Sequence, residues 1–150
     1  RPTKCVDDMK IVEKILAKRH ETHGLFDMFC GNYDPAQGMI EAVSWLKIAE
    51  KYHASFDVVF RARSISIKEQ CAELVKHHLW VLWTDFFEPK HVEQFPNLHD
   101  LFWRATKAAG DAKKTMDPAA SQKMIDLISE VSDVFWATEK ANGAGVYPPA

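Results

Sequence analysis

Apolar residues recur every three or four positions along most of this chain, and that spacing constrains it to helices packed on helices. A period near 3.6 puts such residues on one face of an α-helix, and the face must be buried against another element. In the first segment Cys5, Met9, Val12 and Leu16 follow spacings of four, three and four, with Lys10, Lys14 and Lys18 elsewhere on the wheel. Gly24 interrupts the pattern. The run Asn32-Tyr33-Asp34-Pro35 is then a start signal, with Asp34 placed to cap and Pro35 suited to the first helical position.

The second segment is predicted from Pro35 to about Arg61, with Met39, Val43, Leu46, Ala49, His53, Phe56 and Phe60 facing inward. A turn at residues 63–65 follows, and Ser66-Ile67-Lys68-Glu69 reads as a capping box for the third segment. The inner face of that segment is Cys71, Leu74, Val75, His78, Leu82 and Phe86. Its stretch Leu79-Trp80-Val81-Leu82-Trp83 is apolar all round, which predicts a place at the centre.

Pro89 and Pro96 break the chain, leaving a short helical turn at residues 90–95. A fourth segment begins near Asn97 with Leu98, Leu101, Phe102 and Ala105 inward. Asp117-Pro118 repeats the cap-then-proline signal and opens a fifth segment. Met124, Ile128, Val131 and Phe135 face inward there, with Asp126, Glu130 and Asp133 outward. Asn142-Gly143 stops it, and residues 143–150 form a Gly/Pro tail. Strict alternation never persists long enough for a strand, and no linker divides the chain. The prediction is all-α: an antiparallel helical bundle of four to five helices, one domain over residues 1–150. An irregular orthogonal array of the same helices is the alternative.

Composition narrows the function classes. With 47% apolar residues, five Trp and nine Phe, the chain can bury a core without metals or staples, and disorder is excluded. Net charge is −2 and evenly mixed: eleven basic and eleven acidic residues in positions 1–75, eight and ten in 76–150. No basic stripe exists of the kind that counterion release from nucleic acid requires. The longest charge-free helical stretch, His77 to Thr84, is far short of the roughly 20 residues that cross a bilayer.

Cys5, Cys30 and Cys71 form no CxxC pair and no zinc pattern. A start at Arg1-Pro2, together with a Cys5–Cys30 bridge, would fit a secreted or periplasmic protein. That bridge has a geometric condition. A straight helix over residues 6–23 advances ~27 Å, and the seven residues 24–30 span at most ~23–25 Å. The first helix must therefore be shorter or bent for the bridge to close.

The chemistry-bearing residues concentrate around the second and third segments. With the pivot near Ser64, His53 is eleven residues before it and His78 fourteen after. In an antiparallel pair they then differ in level by only ~4.5 Å. Glu50 and Asp57 flank His53 at helical spacing. Glu50, His53, Asp57 and His78 would form one polar cluster, able to bind Zn, Fe or Mn or to pair an imidazole with a carboxylate for acid–base work. The bland alternative is that each His is a boundary residue satisfied by a hydrogen bond.

Glu50-x-x-His53 and Glu88-x-x-His91 each match the Glu-x-x-His element of di-iron bundles, but the second straddles Pro89. His20-Glu21-Thr22-His23 spaces its histidines by three, not the four of zinc proteases, and suits a solvated helix end. Trp80, Trp83, Phe86, Phe87, Phe95, Phe102 and Trp103 gather aromatic mass, which is core, an apolar pocket or a homodimer face. A haem pocket would take His53, His78 or His99 as axial ligand; no CxxCH exists for covalent haem. Phosphate-binding glycine motifs and a Gly-x-Ser-x-Gly elbow are absent.

The reading that follows is a binding bundle that accepts an apolar small molecule or a partner helix, lined by His53, His78, Trp80, Trp83, Phe86, Phe102 and Trp103. The lack of a catalytic motif weighs against an enzyme. Two other readings stay open: a metal- or haem-binding bundle using Glu50, His53 and His78, with Asp57 a further candidate metal ligand, and a secreted recognition or immunity-type protein.

Overall fold

Two aspartate–proline pairs start helices where the sequence places them. The computed structural model describes residues 33–142. The first segment with Cys5 and Cys30, their pairing, and the Gly/Pro tail lie outside the described residues. Asp34 Oδ1 accepts the Ala36 N–H at 2.8 Å and opens α1 (Ala36–Ala54). Asp117 Oδ1 accepts the Ala119 N–H at 3.0 Å and opens α5 (Pro118–Ala137). Each carboxylate satisfies one of the orphan donors of a first helical turn. Between these helices lie α2 (Val58–Val81), a short α3 (Pro89–Gln94) and α4 (Leu98–Ala112), and a last turn α6 (Glu139–Asn142) follows.

The second helical hairpin corrects the predicted boundaries. The break falls at residues 55–57, not 63–65, and the expected capping box at Ser66–Glu69 lies inside continuous α2. Three local bonds decide this. Ser55 Oγ accepts the Asp57 N–H at 3.2 Å, Asp57 Oδ1 accepts the Phe60 N–H at 2.9 Å, and the Ser64 hydroxyl donates back to Phe60 O at 2.8 Å. Asp57 is thus a helix cap rather than a metal ligand. The apolar pattern runs unbroken through this region, so periodicity alone hides the turn.

The buried face of α1 is also rotated from the predicted one. Gly38, Ala42, Trp45 and Ala49 are buried, whereas Met39, Val43 and Leu46 are only half-buried and Phe56 is 90% exposed. In α2 the inner face is Ser64, Lys68, Cys71, Ala72, Val75 and Leu79, with Leu74 exposed. The all-apolar stretch is not surrounded, since Trp80 is 44% exposed. After Val81 the helix widens into a π-turn at Leu82–Phe86, closed by the Phe87 N–H on Leu82 O at 3.1 Å. The inward residues predicted for α4 and α5 are all buried.

Helix α1 lies against α2 and α5, and α4 lies against α2 and α5 as well, so four long helices close a ring. Among the described residues every regular element is helical. The all-α, antiparallel bundle is therefore the observed architecture. Its core runs from Trp45 and Val75 through Leu79, Leu98 and Ile128 to Phe135, all but closed to solvent.

Candidate functional site

The turn at residues 55–57 undoes the predicted metal cluster. His53 lies three residues before Phe56 and His78 twenty-two after it, so their levels along the hairpin differ by ~28 Å at 1.5 Å per residue. His53 is exposed, and its Nε2 bonds to Met116 O at 2.8 Å in the α4–α5 loop. His78 is half-buried beside Gly38, at the opposite end of α1. The structure does not bring Glu50, His53, Asp57 and His78 together. Among the described residues, no three His, Cys, Asp or Glu side chains are grouped closely enough to hold a metal ion.

The second di-iron-like element proves to be a helix cap. His91 is buried and its Nδ1 accepts the Glu88 N–H at 3.0 Å, closing a capping box at the start of α3. The imidazole stacks on Phe86 at 5.9 Å with an interplanar angle of 6°. Glu88 and His91 therefore serve this turn of chain.

What α1 and α2 do bring together is Glu41, Cys71 and His78. The Cys71 thiol is buried and hydrogen-bonded to the Glu41 side chain; burial first, and then that carboxylate, push its pKa up to about 11. Burial, and then the neighbouring His77, hold His78 below its ordinary value, against the pull of Glu41. A protonated thiol is a poor nucleophile, so this cluster is not built for covalent catalysis by Cys71. Native Cys71 is expected to alkylate roughly 100-fold more slowly at pH 8 than an exposed thiol of ordinary pKa, since thiolate is that much scarcer. Peptide-resolved mass spectrometry after iodoacetamide, native against denatured, checks it; equal labelling would refute the burial. Glu41→Gln should speed the native reaction.

The aromatic residues divide. Phe86 is core, packed on Phe135 at 4.3 Å and Phe87 at 5.0 Å. Trp80, Trp83, Phe102 and Trp103 instead line an open groove of about 520 Å³ between α2 and α4, with His99, Asp100 and Thr106. His53 and His78 are not among the lining residues.

Sequence reasoning missed one buried cation entirely. Lys68 is 3% exposed and its Nζ donates to Ala112 O at 3.5 Å, Thr115 O at 3.1 Å and Lys113 O, carbonyls at and just beyond the end of α4. Glu69 pairs with it at 3.0 Å. A positive charge belongs at a helix C-terminus, but its position within a long helix gave no sign of that role.

Comparison with known proteins supplies what the described geometry does not. Residues 20–139 match the family model described as nickel-containing superoxide dismutase. The chain is 46% identical over 131 residues to a nickel superoxide dismutase of Streptomyces seoulensis, and 43% identical to one of Streptomyces coelicolor. Each alignment spans 87% of this chain and the whole of the relative. A solved nickel superoxide dismutase in its oxidized state is similar at 51% identity and a TM-score of 0.74, over 77% of this chain and 98% of that one. A native structure at 48% identity has the same TM-score and coverage. Further similar structures carry replacements of the first residue, a histidine, of the third, an aspartate, and of the ninth, a tyrosine.

These matches overturn two expectations. The non-catalytic bundle for apolar ligands, and the recognition or immunity-type alternative, give way to an enzyme family, as does the argument from missing motifs. That argument failed because it sought nucleophiles, phosphate loops and zinc spacings, none of which this chemistry uses. The expected transition metal stands at the level of the family, which is defined by nickel and not by haem. With a match over residues 20–139 and two full-length relatives above 40% identity, the chain belongs to the nickel-containing superoxide dismutase family.

Proposed function

We propose that this protein dismutates superoxide with a nickel ion held by residues 20–32. One observation carries the placement: the family match begins at residue 20, while the described bundle offers no cluster of metal-ligating side chains. The stretch 20–32 is rich in donors. It contains His20, Glu21, His23, Asp27 and Cys30. Imidazole nitrogen suits nickel, and thiolate is a soft, electron-rich donor. Bound there, nickel supplies a one-electron redox couple that oxidises one superoxide to dioxygen and reduces the next, with two protons, to hydrogen peroxide.

Cys30 lies four residues before Asp34, whose carboxylate is committed to the first turn of α1. Pro35, buried beside it, restricts the backbone just beyond Tyr33.

The stretch departs from those relatives at the position of their first histidine. The six-residue step from their third-position aspartate to their ninth-position tyrosine is repeated by Asp27 and Tyr33. That register puts Leu25 where their first histidine stands. A leucine side chain has no donor atom, so an imidazole from this stretch comes from His20 or His23. Elemental analysis of the purified protein should find close to one nickel per chain, and superoxide decay followed by stopped flow should be catalytic. Cys30→Ser should lose both while keeping the helical far-UV spectrum. Nickel-free wild-type protein after growth in nickel, or unchanged activity in the Cys30 variant, would overturn the assignment.

A further inference from the structure

The α1–α2 hairpin ends in apolar side chains left to solvent. Phe56 is 90% exposed, Val58 79% and Val59 69%, and Phe60 beside them is 38% exposed. Single exposed apolar residues are ordinary, but four within one turn of chain mark a surface that meets something other than water.

The packing of α2 on α4 shows how far this end projects. Lys68 is level with the end of α4, since its Nζ reaches Ala112 O at 3.5 Å and Thr115 O at 3.1 Å. Lys76 lies beside Gly110, and Trp83 meets Phe102, so the two helices run antiparallel. Residues 58–67 therefore continue roughly 15 Å past the end of α4 at 1.5 Å per residue. Among those ten, only Arg61 and Ser64 are not exposed.

Charge indicates what the projecting end suits. Lys51 and Arg63 are exposed and have no carboxylate partner among the described residues. The Arg61 guanidinium lies over the Tyr52 ring at 4.3 Å. Against these three cations stand Glu50 and Asp57, and the Asp57 carboxylate is turned to the Phe60 N–H at 2.9 Å. Residues 50–63 thus carry a net +1 in a chain whose net charge is −2. An apolar wedge flanked by cations complements an anionic bilayer: the acyl boundary takes the Phe and Val side chains, and headgroup phosphates face the Lys and Arg. A projecting end offers little of the area, about 800 Å² a side, that a stable protein interface buries.

We infer that the turn at residues 55–60 inserts into the surface of an anionic lipid bilayer. Interfacial segments sit roughly 5–10 Å deep, within the reach of the overhang, so the ring of long helices stays in water. Among the described residues no helix is long and apolar enough to cross a membrane, which makes the attachment peripheral.

Flotation of the full chain with vesicles tests the inference. Wild type should rise with equimolar phosphatidylcholine and phosphatidylglycerol, stay behind with phosphatidylcholine alone, and be released by added salt. Phe56→Ser with Val59→Ser should weaken partition about ten-fold or more. Lys51→Gln with Arg63→Gln should weaken it several-fold. All four side chains are exposed, so the melting transition should hold in both variants. Trp103→Ser, at the aromatic groove, should float as wild type does. Wild type left behind by the anionic vesicles, equal flotation with neutral ones, or serine variants that float undiminished would each overturn the proposal. Sedimentation showing that the free protein self-associates through this end, with the serine variant smaller, would overturn it too, because the apolar surface would then belong to a second copy.

Discussion

Replacing Lys68 by methionine is expected to cost the bundle about 3 kcal/mol, with no change in nickel content below the unfolding transition. The argument starts from the last turn of α4, whose final carbonyls have no partners within the helix. Lys68 reaches across from α2 and donates to Ala112, Lys113 and Thr115 from a position 3% exposed. Methionine keeps the length and the packing of the stem but supplies no donor. Ala112 O keeps the Thr115 N–H, but the carbonyls of Lys113 and Thr115 lose the ammonium in a place water reaches poorly, which is dearer than losing an exposed hydrogen bond. For a chain of this size the midpoint should fall by roughly 6–12 °C. Calorimetry on Lys68→Met beside Lys68→Arg checks it: arginine retains the charge and part of the donor set and should sit between. A methionine variant melting within about 1 °C of wild type would mean that the three carbonyls find other partners.

The second large effect is expected at Phe135, where truncation to alanine should cost about 3–5 kcal/mol. Its ring is 1% exposed and tilted onto Phe86 at 4.3 Å, with the edge of Trp136 at 4.9 Å. Phe86 belongs to the π-turn that ends α2, so this contact ties the end of α5 to the widened end of α2. Alanine leaves a void whose walls, being helices closed in a ring, collapse only in part. Phe135→Leu fills most of the space and should recover more than half of the loss in a denaturant titration. If alanine and leucine behave alike, the ring is not a packing element there.

Both variants leave residues 20–32 untouched. On the proposed placement of the metal, stability and metal loading should be separable: Cys30→Ser is expected to spare the melting transition of the bundle and lose nickel, and Lys68→Met to do the reverse.

Helix starts were the most legible feature, because a cap is a local device. Asp34, Asp117 and the proline after each specify a first turn through bonds to atoms two residues away. The inner faces of α4 and α5 were legible for a similar reason, since Leu98, Leu101, Phe102 and Ala105, or Met124, Ile128, Val131 and Phe135, admit one helical stripe. The break at residues 55–57 was not. Asp57 is also a capping residue, but the apolar series runs on through Phe56, Val58 and Val59, all exposed in the fold. A stripe of that kind looks inward until tertiary contacts show that nothing covers it. The misplaced turn then carried His53 and His78 to the wrong heights.

The proposed nickel site was hidden for a different reason. No described cluster holds a metal, and His20, His23, Asp27 and Cys30 follow none of the familiar metal spacings. Only likeness to whole relatives pointed to nickel, and so to the proposal that this stretch holds it.

By itself the sequence determined that four long amphipathic helices would form and which stripes of α4 and α5 would be buried, because periodicity and capping act within one or two turns. Tertiary structure alone decided where α1 ends, that Lys68 closes the end of α4, and which tryptophans stay at the surface. Those outcomes depend on what stands opposite each residue, and a linear pattern holds no record of its neighbours across the bundle.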